Sequence, residues 1–196
     1  MIFLNKTDSM KIISGIYARK QLANTDNLDF RPTTNKNRQA LFNILKHNKF
    51  GFSLQNSVMA DICCGSGLIG FEALSCGVEQ VIFLDNNSSH LKIVQKNIAI
   101  LQVQNSATTI FANVYNLPIN QQKIDFLFID PPYNLNYAKI ITELEHKNWL
   151  TKSSLLVVEW GKKSNIDNDY FRQFTFLEIL DIRNYSETFF GFFLKK

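Results

Sequence analysis

Short apolar runs alternate with longer amphipathic stretches through most of the chain, and that order predicts a parallel sheet covered by helices. The apolar runs predict strands over 58–62 (VMADI), 80–84 (QVIFL), 107–111 (ATTIF), 124–129 (IDFLFI) and 154–159 (SLLVVE). Apolar residues at helical spacing predict helices between them over 66–76, 88–101 and 136–147. The tail breaks this rhythm, because 174–183 and 185–194 are two strand-like, aromatic-rich runs with almost nothing between them, which predicts a hairpin. Its phenylalanines, Phe174, Phe176, Phe189, Phe190, Phe192 and Phe193, read as core packing rather than as a platform for stacked bases.

Ahead of the first body strand, Ala40, Leu41, Ile44 and Leu45 recur at helical spacing and predict a helix over 34–48. Thr33 or Thr34 would cap it, and Pro32 discourages helix before that point. Residues 10–23 read as a strand, a turn near Gly15 and a second strand. The expected division is a hairpin-and-helix appendage over 1–50 and an α/β domain over 51–196.

A length of 196 residues suits one such domain with a buried core and a modest appendage. Hydrophobic residues make up 45% and charged residues 19%, values that exclude a disordered chain. No apolar run reaches the roughly 20 residues that span a bilayer, and the first residues lack the pattern of a secretory signal, so a cytoplasmic protein without a membrane partner is expected. The cysteines, Cys63, Cys64 and Cys76, form no C-x-x-C pair and suggest neither a disulfide framework nor a metal site. No repeat or low-complexity stretch is visible.

Charge changes the picture through its placement. Residues 1–55 hold nine Lys and Arg against three acids, a surplus of six, whereas the whole chain has a net charge of only +4. A basic front end on a slightly acidic body is what a phosphate-touching segment would show, although a solvated surface explains it as well.

The run Asp61-Ile-Cys-Cys-Gly65-Ser66-Gly67-Leu68-Ile69-Gly70 follows an apolar strand and opens a helix, the place where doubly wound folds bind a nucleotide cofactor. Gly65 and Gly67 can take backbone conformations closed to other residues and let a ligand approach the main chain. The glycine pattern alone would equally announce a dinucleotide. Asp61, at the strand's end, decides against it: a carboxylate there suits the ammonium group of S-adenosylmethionine and repels a pyrophosphate. Asp85 ends the second strand, 18 residues beyond Gly67, near the spacing at which an acid receives ribose hydroxyls. Its alternative is a helix cap, a task open also to Asn87 or Ser88.

Asp130-Pro131-Pro132-Tyr133 follows the strand IDFLFI. Consecutive prolines cannot serve a sheet, since neither has an N–H to donate, and they leave carbonyl oxygens at the sheet's carboxyl edge. An aromatic amine is a weak nucleophile because its lone pair is delocalised into the ring. The Asp130 carboxylate and a carbonyl near Pro131 could each accept a hydrogen bond from the NH2 group, localise that lone pair and hold the nitrogen in line with a methyl donor. Tyr133 would stack on the base. The competing reading is a proline-rich turn with a tyrosine packed beneath it.

With both motifs in this order, the chain resembles class I methyltransferases acting on amino groups, and over nearly its full length it is similar to the RsmD family of 16S ribosomal RNA guanine-N2 methyltransferases. The likeness extends to Lys11-Ile-Ile-Ser-Gly15, Arg19-Lys20-Gln-Leu22, Arg31-Pro-Thr-Thr34 with Arg38, Leu41-Phe-Asn-Ile-Leu45, Phe71-Glu-Ala-Leu74, Asn97 and Trp149-Leu150. It implies a Rossmann-like, seven-stranded sheet with helices on both faces and an antiparallel final hairpin. It also implies a cytoplasmic monomer that modifies the guanine numbered 966 in the conventional 16S scheme, on free RNA or within the 30S subunit, with S-adenosylmethionine as donor, S-adenosylhomocysteine as product and no metal. By matching positions, Asp61, Gly65, Ser66 and Gly67 would hold the methionine part of the cofactor, Asp85 the ribose and Asn113 the adenine end, with Cys63, Leu68, Asn86 and Val114 completing that site. Arg19, Lys20, Arg31, Thr33 and Arg38 are the candidate RNA-binding residues, and Asp130, Pro131, Pro132 and Tyr133 the catalytic set. Cys63 and Cys64 stand where family members vary, and Asn113 where many methyltransferases carry an acid.

Two other readings stay open at this point. An adenine-N6 methyltransferase acting on DNA or RNA could use the same tetrad, against which stands the lack of a large separate target-recognition region. A nucleotide-binding dehydrogenase or binding module would need a proton-transfer constellation, and His47, His90 and His146 fall on predicted helices outside the ligand-facing loops.

Overall fold

The continuous apolar runs form the centre of a sheet, as strands buried on both faces must. They are β1 (Val58–Ile62), β2 (Gln80–Asp85), β4 (Phe126–Ile129) and β5 (Leu155–Gly161), while β3 (Ala107–Phe111), only partly buried, forms one edge. The tail supplies β6 (Leu177–Tyr185) and β7 (Thr188–Lys195). The computed structural model describes residues 10–23, 34–47, 49–132, 134–164, 166–167 and 169–196. Within them the seven strands lie in the order β3-β2-β1-β4-β5-β7-β6. β1 to β5 are parallel; β7 runs antiparallel to β5, and β6 to β7, so the final hairpin closes one side. This is the class I S-adenosylmethionine-dependent methyltransferase fold, as expected from the sequence.

The helices are α1 (Asn35–Lys46), α2 (Leu68–Ser75), α3 (Ser88–Leu101) and α4 (Tyr137–His146), with a short 3-10 turn at Tyr170–Gln173 that the sequence pattern does not announce. Thr34 caps α1, its hydroxyl accepting from the Asn37 amide at 3.2 Å. Leu41 and Phe42 of α1, Phe71 of α2 and Val94 of α3 bury one face of the sheet, and Ile140, Ile141 and Leu144 of α4 with Trp149 and Phe171 bury the other. Phe174, Phe190, Phe192 and Phe193 are buried among these residues, and Phe176 and Phe189 pack against them, as core residues should.

Residues 10–23 differ from the two expected strands. They form one antiparallel bridge, Lys11 with Gln21, around an irregular turn in which Gly15 and Arg19 have φ of 83° and 70°. The cause is competition from α2. Amides that would extend the ladder turn aside to it: Ile13 N and Ser14 N donate to Glu72 at 2.9 and 2.7 Å, and Ile16 N to the Ser75 carbonyl at 2.8 Å. Met10, Ile12 and Leu22 join the core on the α1 side.

Arg38 departs further from expectation. It is no phosphate-binding surface cation but fully buried, with Nη2 donating to the Lys11 carbonyl at 2.8 Å and to Asn35 Oδ1 at 3.0 Å. Its Nε lies 3.3 Å from Glu72 Oε2, a buried ion pair. Burial pulls the guanidinium below its ordinary pKa and the neighbouring carboxylate pushes it back up, the balance of a structural pair.

Candidate active site

The chain leaves β1 toward β2 and β3 on one side and returns through β4 to β5 on the other. That reversal opens a crevice at the carboxyl ends of β1 and β4, the topological switch point at which such sheets bind ligands. A cleft of about 500 Å³ occupies this position. Its walls include Asp61 of β1, Cys63, Gly65 and Ser66 from the loop that follows, Leu68 at the start of α2, Asp85 at the end of β2 with Asn86 after it, Val114 after β3, and Asp130, Pro131 and Pro132 after β4. Residues far apart in sequence and assigned to two motifs therefore meet in one hollow.

Strand alternation puts Asp61 on the face of Met59, toward α1 and α2, where its Oδ2 accepts from the Gly70 amide at 3.0 Å. The carboxylate is 2% exposed. Burial raises its pKa well above the usual carboxylate range; the Gly70 bond counteracts this in part, while the nearby charges of Asp130 and Asp85 raise it further. Burial, with Asp85 and Asp61 adding to it, also pushes up the thiols of Cys63 and Cys64, which stay protonated.

The two glycines of the loop do different work. Gly65, at φ 53°, lines the cleft and donates its amide to Asp85 Oδ2 at 2.9 Å. Gly67, at φ 76°, is not among the lining residues: a side chain there would come within 2.9 to 3.1 Å of Phe71, Phe83 and Val94. Its missing side chain admits the core beneath α2 rather than a ligand. Asn97, fully buried on α3, donates to the Ser66 carbonyl at 3.4 Å and accepts from the Ala23 amide at 2.7 Å, so it holds the loop from behind.

Asp85 is not a helix cap; Asn87 caps α3 by accepting from Ser89 N at 2.9 Å. The Asp85 oxygens accept from Gly65 N and from Asn87 N, each at 2.9 Å, and a carboxylate has lone pairs left for ligand hydroxyls. His90, expected to lie outside the ligand-facing loops, lines the cleft from the first turn of α3, with Nδ1 3.2 Å from Asp85 Oδ2. Asn113 does not line it. Its Oδ1 accepts from Tyr115 N at 2.9 Å, within its own turn, and Ala112 and Val114 form the wall instead.

After β4, the Pro131 carbonyl accepts from the buried Tyr137 hydroxyl at 3.3 Å, and the same hydroxyl reaches the Glu159 carbonyl of β5 at 3.3 Å. One phenol thus ties the turn to the neighbouring strand, leaving the Pro131 oxygen a second lone pair. Glu159, buried, lines the cleft along with Thr34 and Asn37 from the start of α1 and Thr188 from β7. In the sequence pattern Glu159 is only part of a strand, and nothing there marks it as a site residue. Four carboxylates, Asp61, Asp85, Asp130 and Glu159, face this cleft, and no Lys or Arg does among the described residues. Arg19 and Lys20 are exposed at the turn of the N-terminal segment. Tyr133, Arg31 and Thr33 lie outside the described residues.

The model of the family described as Conserved hypothetical protein 95 matches residues 10–194. Ribosomal RNA small subunit methyltransferase D of Buchnera aphidicola subsp. Acyrthosiphon pisum is 32% identical over 166 residues, covering 84% of each chain. The solved structure of yhhF from Escherichia coli superposes with a TM-score of 0.79 at 20% identity, covering 96% of this chain and 98% of that one. Magnesium protoporphyrin IX methyltransferase from Synechocystis PCC 6803, solved with bound SAM, gives 0.64 at 13% identity over 85% of this chain and 87% of that one.

Proposed function

We propose what this chain does from the family it belongs to, the one described as Conserved hypothetical protein 95: it is a methyltransferase that moves a methyl group from S-adenosylmethionine to the exocyclic N2 amine of a guanine in 16S ribosomal RNA of the small ribosomal subunit. The observation that carries the donor is the cleft's charge. Four carboxylates with no described Lys or Arg suit a ligand bearing a sulfonium and an ammonium, and oppose a pyrophosphate or a triphosphate. Asp61 takes the ammonium, Asp85 the ribose hydroxyls, and Ala112 and Val114 flank the adenine. The donor supplies an electrophilic methyl on a positively charged sulfur. Asp130 and the Pro131 carbonyl each accept a hydrogen bond from the acceptor NH2, which turns its lone pair toward that methyl, and the Asp130 carboxylate is the base for the proton the nitrogen sheds. RNA phosphates are gripped outside the cleft by the exposed basic residues Arg19 and Lys20 among others.

The test is transfer of labelled methyl into small-subunit RNA from cells lacking the protein, with the modified base mapped by mass. N2-methylguanine in that RNA is expected; N6-methyladenine, or label in DNA alone, would overturn the assignment. In the same system Arg19→Ala with Lys20→Ala should weaken RNA binding and flatten its salt dependence, the slope falling by about 0.7 for each single-strand phosphate left without its cation.

Asp61 carries its own prediction. In the wild-type protein without cofactor, folding must desolvate this acid, so the folded pKa exceeds the unfolded one. Such a group binds more protons when folded, and its effect on stability worsens as pH rises from the ordinary carboxylate range through the elevated folded value. Asp61→Asn keeps an acceptor for Gly70 N without the charge. Thermal melting should show the variant to be the more stable by about 1 kcal/mol at neutral pH, the gap closing toward acid. Calorimetry should show S-adenosylmethionine binding weakened about 10- to 100-fold, the loss of one charge-assisted pair. A variant that is less stable at neutral pH, or binds as well as wild type, would remove Asp61 from this role.

A further inference from the structure

The last paired residues of β4 and β5 are Ile129 and Val158. One step further along both strands, Asp130 and Glu159 stand side by side at the sheet's carboxyl edge, and both line the cleft. By strand alternation the two side chains leave the sheet on the face of Phe128 and Val157, the face that α1 covers and on which Asp61 lies. Glu159 is 7% exposed and lines the cleft beside Asp130, away from bulk water. The Tyr137 hydroxyl, held between the Pro131 and Glu159 carbonyls, fixes the spacing of the two strands at this level.

A carboxylate only accepts hydrogen bonds when ionised. Two of them side by side therefore select a ligand edge that presents donors in a row. Guanine is the one standard base whose exocyclic amine adjoins a ring N–H; the amines of adenine and cytosine adjoin a ring nitrogen that offers a lone pair. With Asp130 on the amine, a second carboxylate beside it would attract the N1–H of guanine and repel N1 of adenine or N3 of cytosine. We propose that Glu159 is the base-reading residue of this enzyme, accepting the N1–H of the target guanine while Asp130 engages its N2 amine. This rests on the guanine reading above and gives it a residue. The discrimination comes from the penalty of facing a buried acceptor with another acceptor, which exceeds the gain from the correct pair.

The experiment compares target RNA carrying guanine with the same RNA carrying 2-aminopurine at the mapped position, which keeps the amine and lacks N1–H. Wild type should favour guanine by about 10- to 100-fold in kcat/KM. Glu159→Ala should lose that factor on guanine, change little on 2-aminopurine and bind S-adenosylmethionine as wild type does. Glu159→Gln, nearly isosteric and retaining one acceptor oxygen, should fall between them and covers the case in which the alanine variant does not fold. Equal losses on both RNAs, unchanged preference in both variants, or a parallel loss of cofactor affinity would overturn the role of Glu159. Methylation of neither RNA by wild type, with an adenine product elsewhere, would overturn the guanine reading itself and this inference with it.

Discussion

Asp130→Ala is expected to lower the rate of methyl transfer by about 10³-fold while S-adenosylmethionine binds within about twofold of its wild-type affinity. The separation follows from where the residue stands. In the proposed reading the cofactor would be cradled by the loop after β1 and by Asp85 at the end of β2, whereas Asp130 follows β4 on the far side of the switch point. Its electrostatic influence on cofactor binding has two opposed parts. Its charge attracts a cation, but it also raises the pKa of Asp61 and so disfavours the ionised form that the ammonium needs. Removing it subtracts both, and little net change remains. The acceptor amine has no such compensation, since it loses one of the two oxygens that orient its lone pair. Asp130→Asn, which keeps an acceptor oxygen while adding a donor, should lie between wild type and alanine. Single-turnover transfer together with calorimetry decides the matter. A fall in cofactor affinity that matches the fall in rate would move Asp130 from the acceptor side of the cleft to the donor side.

The parts of this molecule that are legible in the sequence are those set by local pattern. A strand buried on both faces must be largely apolar, so β1 stands out as VMADI and β4 within the longer run IDFLFI, of which FLFI pairs in the sheet. The glycine loop and the Asp-Pro-Pro turn depend on backbone properties of single residues, and both come to the same cleft. What stays hidden is set by partners distant in the chain. Arg38 looks like a surface cation until Glu72 is brought beneath it, and Glu159 looks like one more strand residue until β4 is laid beside β5. Helical placement alone sets His90 aside, but the first turn of α3 rises from the sheet's carboxyl edge and faces the cleft. For residues 10–23, strand spacing is present, yet α2 offers the amides better acceptors than a second strand could.

That competition makes Glu72 the residue whose loss should cost the fold most. Its side chain is 1% exposed and receives the Ile13 amide, the Ser14 amide and the Ser14 hydroxyl, the last at 2.7 Å, beside the buried Arg38 guanidinium. Glu72→Ala leaves a buried cation without its counter-charge and the amides without their acceptor, a change expected to destabilise by about 3 to 5 kcal/mol. In a chain of this length that is a drop in melting temperature of roughly 6 to 20 °C. Replacing both partners, Arg38→Met with Glu72→Leu, should recover part of the loss, because no charge is then stranded, but not the anchoring of residues 13 and 14. The consequence reaches function through α2. The helix that the cofactor loop opens also carries, one turn later, the carboxylate that pins the segment bearing Arg19 and Lys20. The proposed RNA grip and cofactor cradle would therefore share a single short helix, and below its melting temperature Glu72→Ala should lose RNA affinity and protease resistance over residues 10–23 before it loses S-adenosylmethionine. Cofactor binding that failed first, or a melting temperature unchanged from wild type, would show that the N-terminal segment is held by something other than this carboxylate.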